Sequence, residues 1–194
     1  MKNRKVCVGA DPFPPYQYYD EAGCLQGSDF ETVKDTFERA GFTAEVQLGP
    51  WDEIEAAVAR GELDAVFQVQ KTPQREAAYC FSDLLRNAVT EVITGDVNLA
   101  DGSGLHSALH SWAEAETRGL TVGVIKNYAY GEDVDRLRPE MKAAYDSQEA
   151  LLHAIGAREV DLGIFDRGVR QYLQARLDVG EIYPIESLTF MRPL

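Results

Sequence analysis

The chain has 194 residues, 45% of them hydrophobic, enough to bury a core as one large domain or two small lobes. Its formal charge of −13 argues against nucleic acid and anionic membrane surfaces as partners, and no apolar run approaches the roughly 20 residues that span a bilayer. The three cysteines (Cys7, Cys24, Cys80) cannot all pair within one chain, and their spacing matches no metal site. Cys7 and Cys80 read as core residues; a Cys7–Cys24 bridge is the alternative.

Met1 to Lys5 is basic but leads into Val6-Cys7-Val8, too short for a signal-peptide core. Lys5 to Ala10 is a buried strand, ended by a segment from Asp11 to Tyr19 whose three prolines forbid regular structure. Asp20 to Gly23 is a turn. Ser28 and Glu31 have capping-box spacing, and Phe30, Val33, Phe37 and Ala40 form the apolar stripe of a helix that Gly41 ends. Thr43 to Leu48 alternates as a strand, Pro50-Trp51 turns, and Asp52 to Arg60 is a helix stopped by Gly61. Ala65 to Val69 is a short apolar strand leading to Lys71-Thr72-Pro73-Gln74-Arg75. Thr72 suits an N-cap, and Pro73 fits the first helical position, where an N–H is not needed. Helix-start N–H groups and the planar Arg75 guanidinium together suit a carboxylate; otherwise Arg75 is a solvated surface cation. The βαβαβ order implies a mainly parallel sheet with both faces covered, in which ligands sit beyond the carboxyl ends of the strands. The Pro-rich loop, Trp51 and the Thr72–Arg75 turn all fall at that edge.

Arg86 to Gly95 has strong strand propensity, and Asp96 to Gly104 reads as a loop. Leu105 to Thr117 is helical, with Leu105, Ala108, Leu109 and Trp112 on one face. His106 and His110 are four apart, as two metal ligands would be, but no acidic-His context accompanies them, so they read as solvated. Leu120 to Ile125 is a strand, a helix opens at Glu132, and Lys142 to Tyr145 is a short strand. Ser147 caps a helix through Ala157, with Leu151, Leu152 and Ile155 as its apolar face and His153 solvated. Arg158 to Arg167 then mirrors Gly61 to Val66: a charged turn, an Asp, a buried strand. That echo, present twice, indicates two lobes of like construction. Asp166 can cap the helix Gly168 to Leu177. Glu181 to Tyr183 is a connection, and Ser187 to Met191 a strand returning to the first lobe.

The order Trp51-Asp52, Gly61-Glu62-Leu63, Asp64-Ala65, Thr72-Pro73-Gln74-Arg75, Phe81-Ser82-Asp83 resembles the family 3 solute-binding proteins, the extracytoplasmic amino-acid receptors of ABC transporters. The resemblance implies a two-lobed α/β fold of the type II periplasmic-binding-protein kind, each lobe a mainly parallel sheet flanked by helices, with the ligand cleft between lobes. Lobe 1 would be residues 1–90 with a return of 186–194, and lobe 2 residues 91–185. In the family the Thr and Arg of the turn hold the ligand carboxylate, here Thr72 and Arg75 with Gln70 beside them. The family's Pro-Pro-aromatic element places Tyr16, with Phe13 nearby, against the ligand side chain; these aromatics can equally cover the core. Trp51 and Tyr128 would line the remainder, and Asp166, matching in spacing, would receive an ammonium. The chain departs from the pattern at Ser28, at Lys71, in a turn one residue shorter than usual after Asp64, and at Asn127-Tyr128-Ala129 where Gly-Thr-Thr is usual. These departures bear on ligand identity more than on fold.

The expected function is binding of an amino acid or related small carboxylate for an ABC transporter permease. No cofactor and no nucleic acid are expected. A periplasmic location, with any signal peptide removed, follows from the resemblance. Family members continue with helices that pack on the first lobe, and this chain is short there, so either the lobe is covered differently or an exposed apolar patch is covered by a dimer; a monomer or weak dimer is expected. Cyclohexadienyl dehydratases on the same fold make an enzyme the alternative, but no nucleophile–base arrangement is legible, and Lys71 serves as acid or base only if buried. A ligand-sensing domain of a signalling receptor is a further alternative.

Overall fold

The computed structural model describes residues 4–102, 108–126, 128 and 130–194. It forms two compact units, Met1–Arg86 with Pro193–Leu194, and Asn87–Arg192, so the chain changes unit at 86/87 and 192/193 rather than at 90/91 and 185/186.

The first unit runs through β1 (Arg4–Ala10), a hairpin of β2 (Tyr18–Tyr19) and β3 (Leu25–Gln26), α1 (Ser28–Arg39), β4 (Phe42–Leu48), α2 (Trp51–Ala59), β5 (Ala65–Val66) and the single turn α3 (Pro73–Glu76). Its sheet is parallel, in the order β4-β1-β5. Alternation along β1 divides the core: Val6, Val8 and Ala10 pack with Val33 and Phe67, whereas Cys7 packs with Ile54, Ala57 and Leu63. Both faces are therefore covered, as the crossover pattern requires.

Two local expectations fail. The residue that caps α1 is Gly27 at φ 123, not Ser28, and it makes no side-chain cap bond. The Tyr16 carbonyl instead accepts from Asp29 N–H at 3.0 Å and Phe30 N–H at 3.2 Å. A Cβ at position 27 would stand 2.1 Å from that oxygen, so the approach requires glycine. The strand expected to reach Val69 stops at Val66, and Gln68 turns the chain at φ 60. Its side chain is held in a polar network described below. The turn at Asp20 to Gly23 joins a short hairpin, β2–β3, that the irregular reading of the Pro-rich segment does not include. The Asp20 carboxylate ties it, accepting from Ala22 N–H at 3.0 Å and Cys24 N–H at 2.8 Å.

The second unit contains β6 (Asn87–Thr94), α4 (Val97–Asp101), α5 (Trp112–Arg118), β7 (Val122–Ile125), α6 (Glu132–Asp135), β8 (Lys142–Tyr145), α7 (Gln148–Gly156), β9 (Leu162–Asp166), α8 (Arg167–Gln174), β10 (Tyr183–Pro184) and β11 (Phe190–Pro193). Its sheet is mixed: β9-β7-β8 are parallel, β6 lies antiparallel to β9 and β10, and β11 also pairs with β6. Leu109, Val122, Leu162, Ile164 and Ile185 are at the centre of its core. Ser147 caps α7 as expected, accepting from Ala150 N–H at 3.2 Å, and Leu151, Leu152 and Ile155 are buried.

The expected loop after Asp96 contains α4, because the Asp96 side chain caps it and Leu99 is buried. The helix expected from Leu105 begins at Trp112, capped by Ser111; Leu105 and His106 lie outside the described residues. His110 is exposed ahead of that helix, and among the described residues no group of three His, Cys, Asp or Glu side chains is arranged to hold a metal ion. The strand expected from Ser187 begins only at Phe190, because a 3-10 turn occupies Glu186–Leu188 and buries Leu188. Cys7, Cys24 and Cys80 are unbridged, and Cys80 is exposed in the irregular stretch after α3 rather than in the core.

The repeated sequence around Asp64 and Asp161 corresponds to one repeated clasp. Asp64 accepts Cys7 N–H at 2.8 Å; Asp161 accepts Thr121 N–H at 2.7 Å and the Thr121 hydroxyl at 2.8 Å. In each unit a helix thus returns through a charged turn to a strand tied to its neighbour by a carboxylate.

Candidate functional site

In the first unit, Thr72 is extended and its hydroxyl accepts Arg75 N–H at 3.3 Å, with Pro73 opening the helical turn. The cap fixes the backbone at Arg75. The half-buried guanidinium then donates to the Gln70 carbonyl at 3.1 Å and lies 5.2 Å from the Trp51 ring centroid. Trp51 occupies the first position of α2 rather than a turn, which points its ring back at the β5–α3 segment. Thr72, Gln70, Arg75 and Trp51 are therefore brought together, with Gln70 acting through its backbone. Lys71 is not buried: its side chain is 57% exposed, pairs with Glu76 at 2.8 Å and covers the Phe81 ring. The condition for its acid–base use fails.

Phe13 and Tyr16 also form one group, their rings stacked with centroids 6.0 Å apart. The Arg86 guanidinium lies 3.6 Å from the Tyr16 centroid, and its Nε donates to buried Asp29 at 2.8 Å. Asp29 also accepts from Gln68, whose amide oxygen in turn accepts from the fully buried Gln17. Sequence reasoning missed this network. Asp29 lies at a helix start where acids are ordinarily solvated, and only the packing of Tyr16 against α1 encloses it.

In the second unit, Asp166 is buried at the end of β9, and its Oδ1 accepts Gly168 N–H at 2.8 Å and Val169 N–H at 3.3 Å, so it caps α8. Thr90 lies directly opposite it in the antiparallel register, and Arg192 Nε donates to the Thr90 hydroxyl at 2.9 Å. Burial lowers the Arg192 pKa, while the fields of Tyr130, Asp166 and Asp135 oppose that shift. Tyr128 is half-buried, its ring 6.4 Å from that of Tyr130. Burial pushes the Tyr130 phenol up to about 12, and its oxygen accepts Ile125 N–H at 2.8 Å. Asn127 and Ala129 lie outside the described residues. On the other edge of α8, Glu91 of β6 is buried between Arg167 at 2.6 Å and Arg170 at 2.7 Å. No motif marks this triad, since Glu91 is more than seventy positions from either arginine.

Comparison with known proteins agrees with the fold. A probable amino-acid ABC transporter-binding protein of Haemophilus influenzae is 26% identical over 139 residues, covering 66% of this chain and 54% of that protein. The chain thus spans about half the length of this curated relative. An ancestral arginine-binding protein, solved with arginine bound, superposes with a TM-score of 0.76 at 20% identity, over 99% of this chain and 81% of that one. A histidine kinase sensor domain with similarity to periplasmic binding proteins gives 0.82 at 19% identity, over 99% and 81%. At these identities the superpositions establish the fold, which is that of the periplasmic binding proteins. The family described as bacterial extracellular solute-binding proteins, family 3, matches residues 5–100, so this segment is similar to that family.

Proposed function

We propose that the protein binds an amino acid or a related small carboxylate and serves as the extracytoplasmic solute receptor of an ABC transporter. The observation that carries this reading is the pose of Arg75, whose guanidinium is steered by the Gln70 carbonyl and the Trp51 ring while Thr72 secures its backbone. A planar cation held in this way is suited to two-bond recognition of a carboxylate. Within the same unit, Phe13, Tyr16 and Trp51 supply aromatic surface for the rest of the ligand. The family match in residues 5–100 and the H. influenzae relative support the transport role, a periplasmic location and a permease partner. Catalysis is not part of the reading, because Lys71 is exposed and paired.

Calorimetric titration of amino acids and small carboxylates, with Arg75→Ala as comparison, tests it. Saturable binding lost in the variant is the expected result; undiminished affinity in Arg75→Ala overturns the site. A second reading, a ligand-sensing domain, is supported by the superposition on the kinase sensor domain. It uses the same ligand site and differs only in the partner. Turnover of prephenate-like acids by the purified protein would establish the enzyme reading instead.

A further inference from the structure

Two non-glycine residues among those described have positive φ, Arg158 at 57 and Gln68 at 60. Arg158 stands just past the end of α7, where the left-handed conformation is an ordinary way to stop a helix. Gln68 follows a strand, two residues after β5, and no helix end requires its conformation. Its side chain is what holds it. The Gln68 amide oxygen accepts from Gln17 Nε2, and its amide nitrogen donates to Asp29 Oδ2 at 3.4 Å. Both partners are buried and tied down in turn: Gln17 donates to the Asp11 carbonyl at 3.2 Å, and Asp29 accepts Arg86 Nε at 2.8 Å. The Gln17 amide oxygen, however, is buried with no hydrogen-bond partner among the described residues. A strained backbone at one residue and an unpaired acceptor on the side chain bonded to it both oppose stability, and such features gather where a chain is shaped for a site.

Gln68 stands two positions before Gln70 and seven before Arg75. Its φ sets the direction of the chain that follows, and the Gln70 carbonyl steers the Arg75 guanidinium at 3.1 Å. We propose that Gln68 is a positioning residue for Arg75: its side chain, clamped between Gln17 and Asp29, imposes the left-handed turn that carries the Gln70 carbonyl to the guanidinium. Glycine adopts this φ without strain but is not confined to it, and asparagine tolerates it but is one methylene short of meeting both partners. This rests on the reading of Arg75 as a carboxylate site and adds a residue that acts through it, wholly within the first unit.

The test compares the whole chain with Gln68→Gly, Gln68→Asn and Arg75→Lys. In the unliganded protein the Arg75 Nε–H proton resonance, assigned by its loss in Arg75→Lys, is shifted by the ring current of Trp51. In both Gln68 variants it is expected to move to the position of an unconstrained arginine. Calorimetry uses L-glutamate, L-glutamine, L-arginine, succinate and glutarate as probes. Those that bind the wild type are expected to bind Gln68→Gly about tenfold more weakly. A purely structural role predicts otherwise: glycine relieves the backbone strain and leaves resonance and affinity where they are. An unmoved Arg75 resonance, or wild-type affinity, in folded Gln68→Gly overturns the proposal and leaves the reading of Arg75 standing. If no probe binds the wild type, the carboxylate reading fails and this proposal fails with it. Should Gln68→Gly not fold by circular dichroism, Gln68→Asn is judged by the same two measurements.

Discussion

The Arg75 guanidinium stands over the Trp51 ring at 5.2 Å, joining the turn after β5 to the start of α2 within one unit. Because α3 buries none of its residues, Arg75 can be removed without opening the core. Arg75→Ala is expected to weaken binding of the carboxylate ligand by roughly 2–5 kcal/mol, and Trp51→Ala by about 1 kcal/mol through the lost ring contact alone. Titration calorimetry measures both, and an unchanged thermal melt of the unliganded Arg75→Ala protein confirms that only the site is affected.

Glu91 is 3% exposed and bonded to Arg170, itself 13% exposed, and to the more solvated Arg167. Removing the carboxylate leaves Arg170 buried without its counter-charge. Glu91→Ala is expected to destabilise the second unit by about 3 kcal/mol, the lower end for a broken buried pair because Arg167 can turn to water. Urea unfolding followed by tyrosine fluorescence reads this; a midpoint equal to wild type would mean that solvent already screens the triad.

Tyr130 links pH to stability. Its folded pKa, pushed up to about 12 by burial, lies above the ordinary 10, so the neutral phenol is favoured in the folded state. The contribution is fully present below pH 10 and is lost as pH rises through the folded value. Its size is about 3 kcal/mol at most, the free energy that separates a phenol titrating at 10 from one titrating at about 12. Denaturant midpoints measured from about pH 8 to 12 are expected to fall across the upper half of that range. In Tyr130→Phe this decline flattens, and the Ile125 N–H loses its acceptor at a cost of about 1–3 kcal/mol at neutral pH.

The two carboxylate clasps are expected to differ in strength. Asp161 is half-buried and holds both donors of Thr121, whereas Asp64 is exposed and holds a single N–H of Cys7. Asp161→Ala should cost about 2 kcal/mol and Asp64→Ala less than about 1 kcal/mol, because water replaces an exposed partner readily. Equal shifts in the unfolding midpoint would contradict the difference in burial.

The main alternation of strands and helices, apart from the β2–β3 hairpin and α4, together with the parallel first sheet, the Thr72 and Ser147 caps and the duplicated acidic turn, was determined by the sequence itself. Each depends on chemistry confined to a few neighbouring residues: alternation along β4, apolar spacing along α1 and α7, or a hydroxyl three positions before an N–H. Tertiary structure alone decided the rest. Whether Ser28 or Gly27 caps α1 depends on the Tyr16 carbonyl, and the early end of β5 accompanies Gln68 turning toward Gln17 and Asp29. The guanidinium groups on Tyr16 and Thr90 come from the junction at Arg86 and from β11, remote in sequence and brought close by packing. Burial and pairing across such separations are properties of packing, which no local pattern of residues encodes.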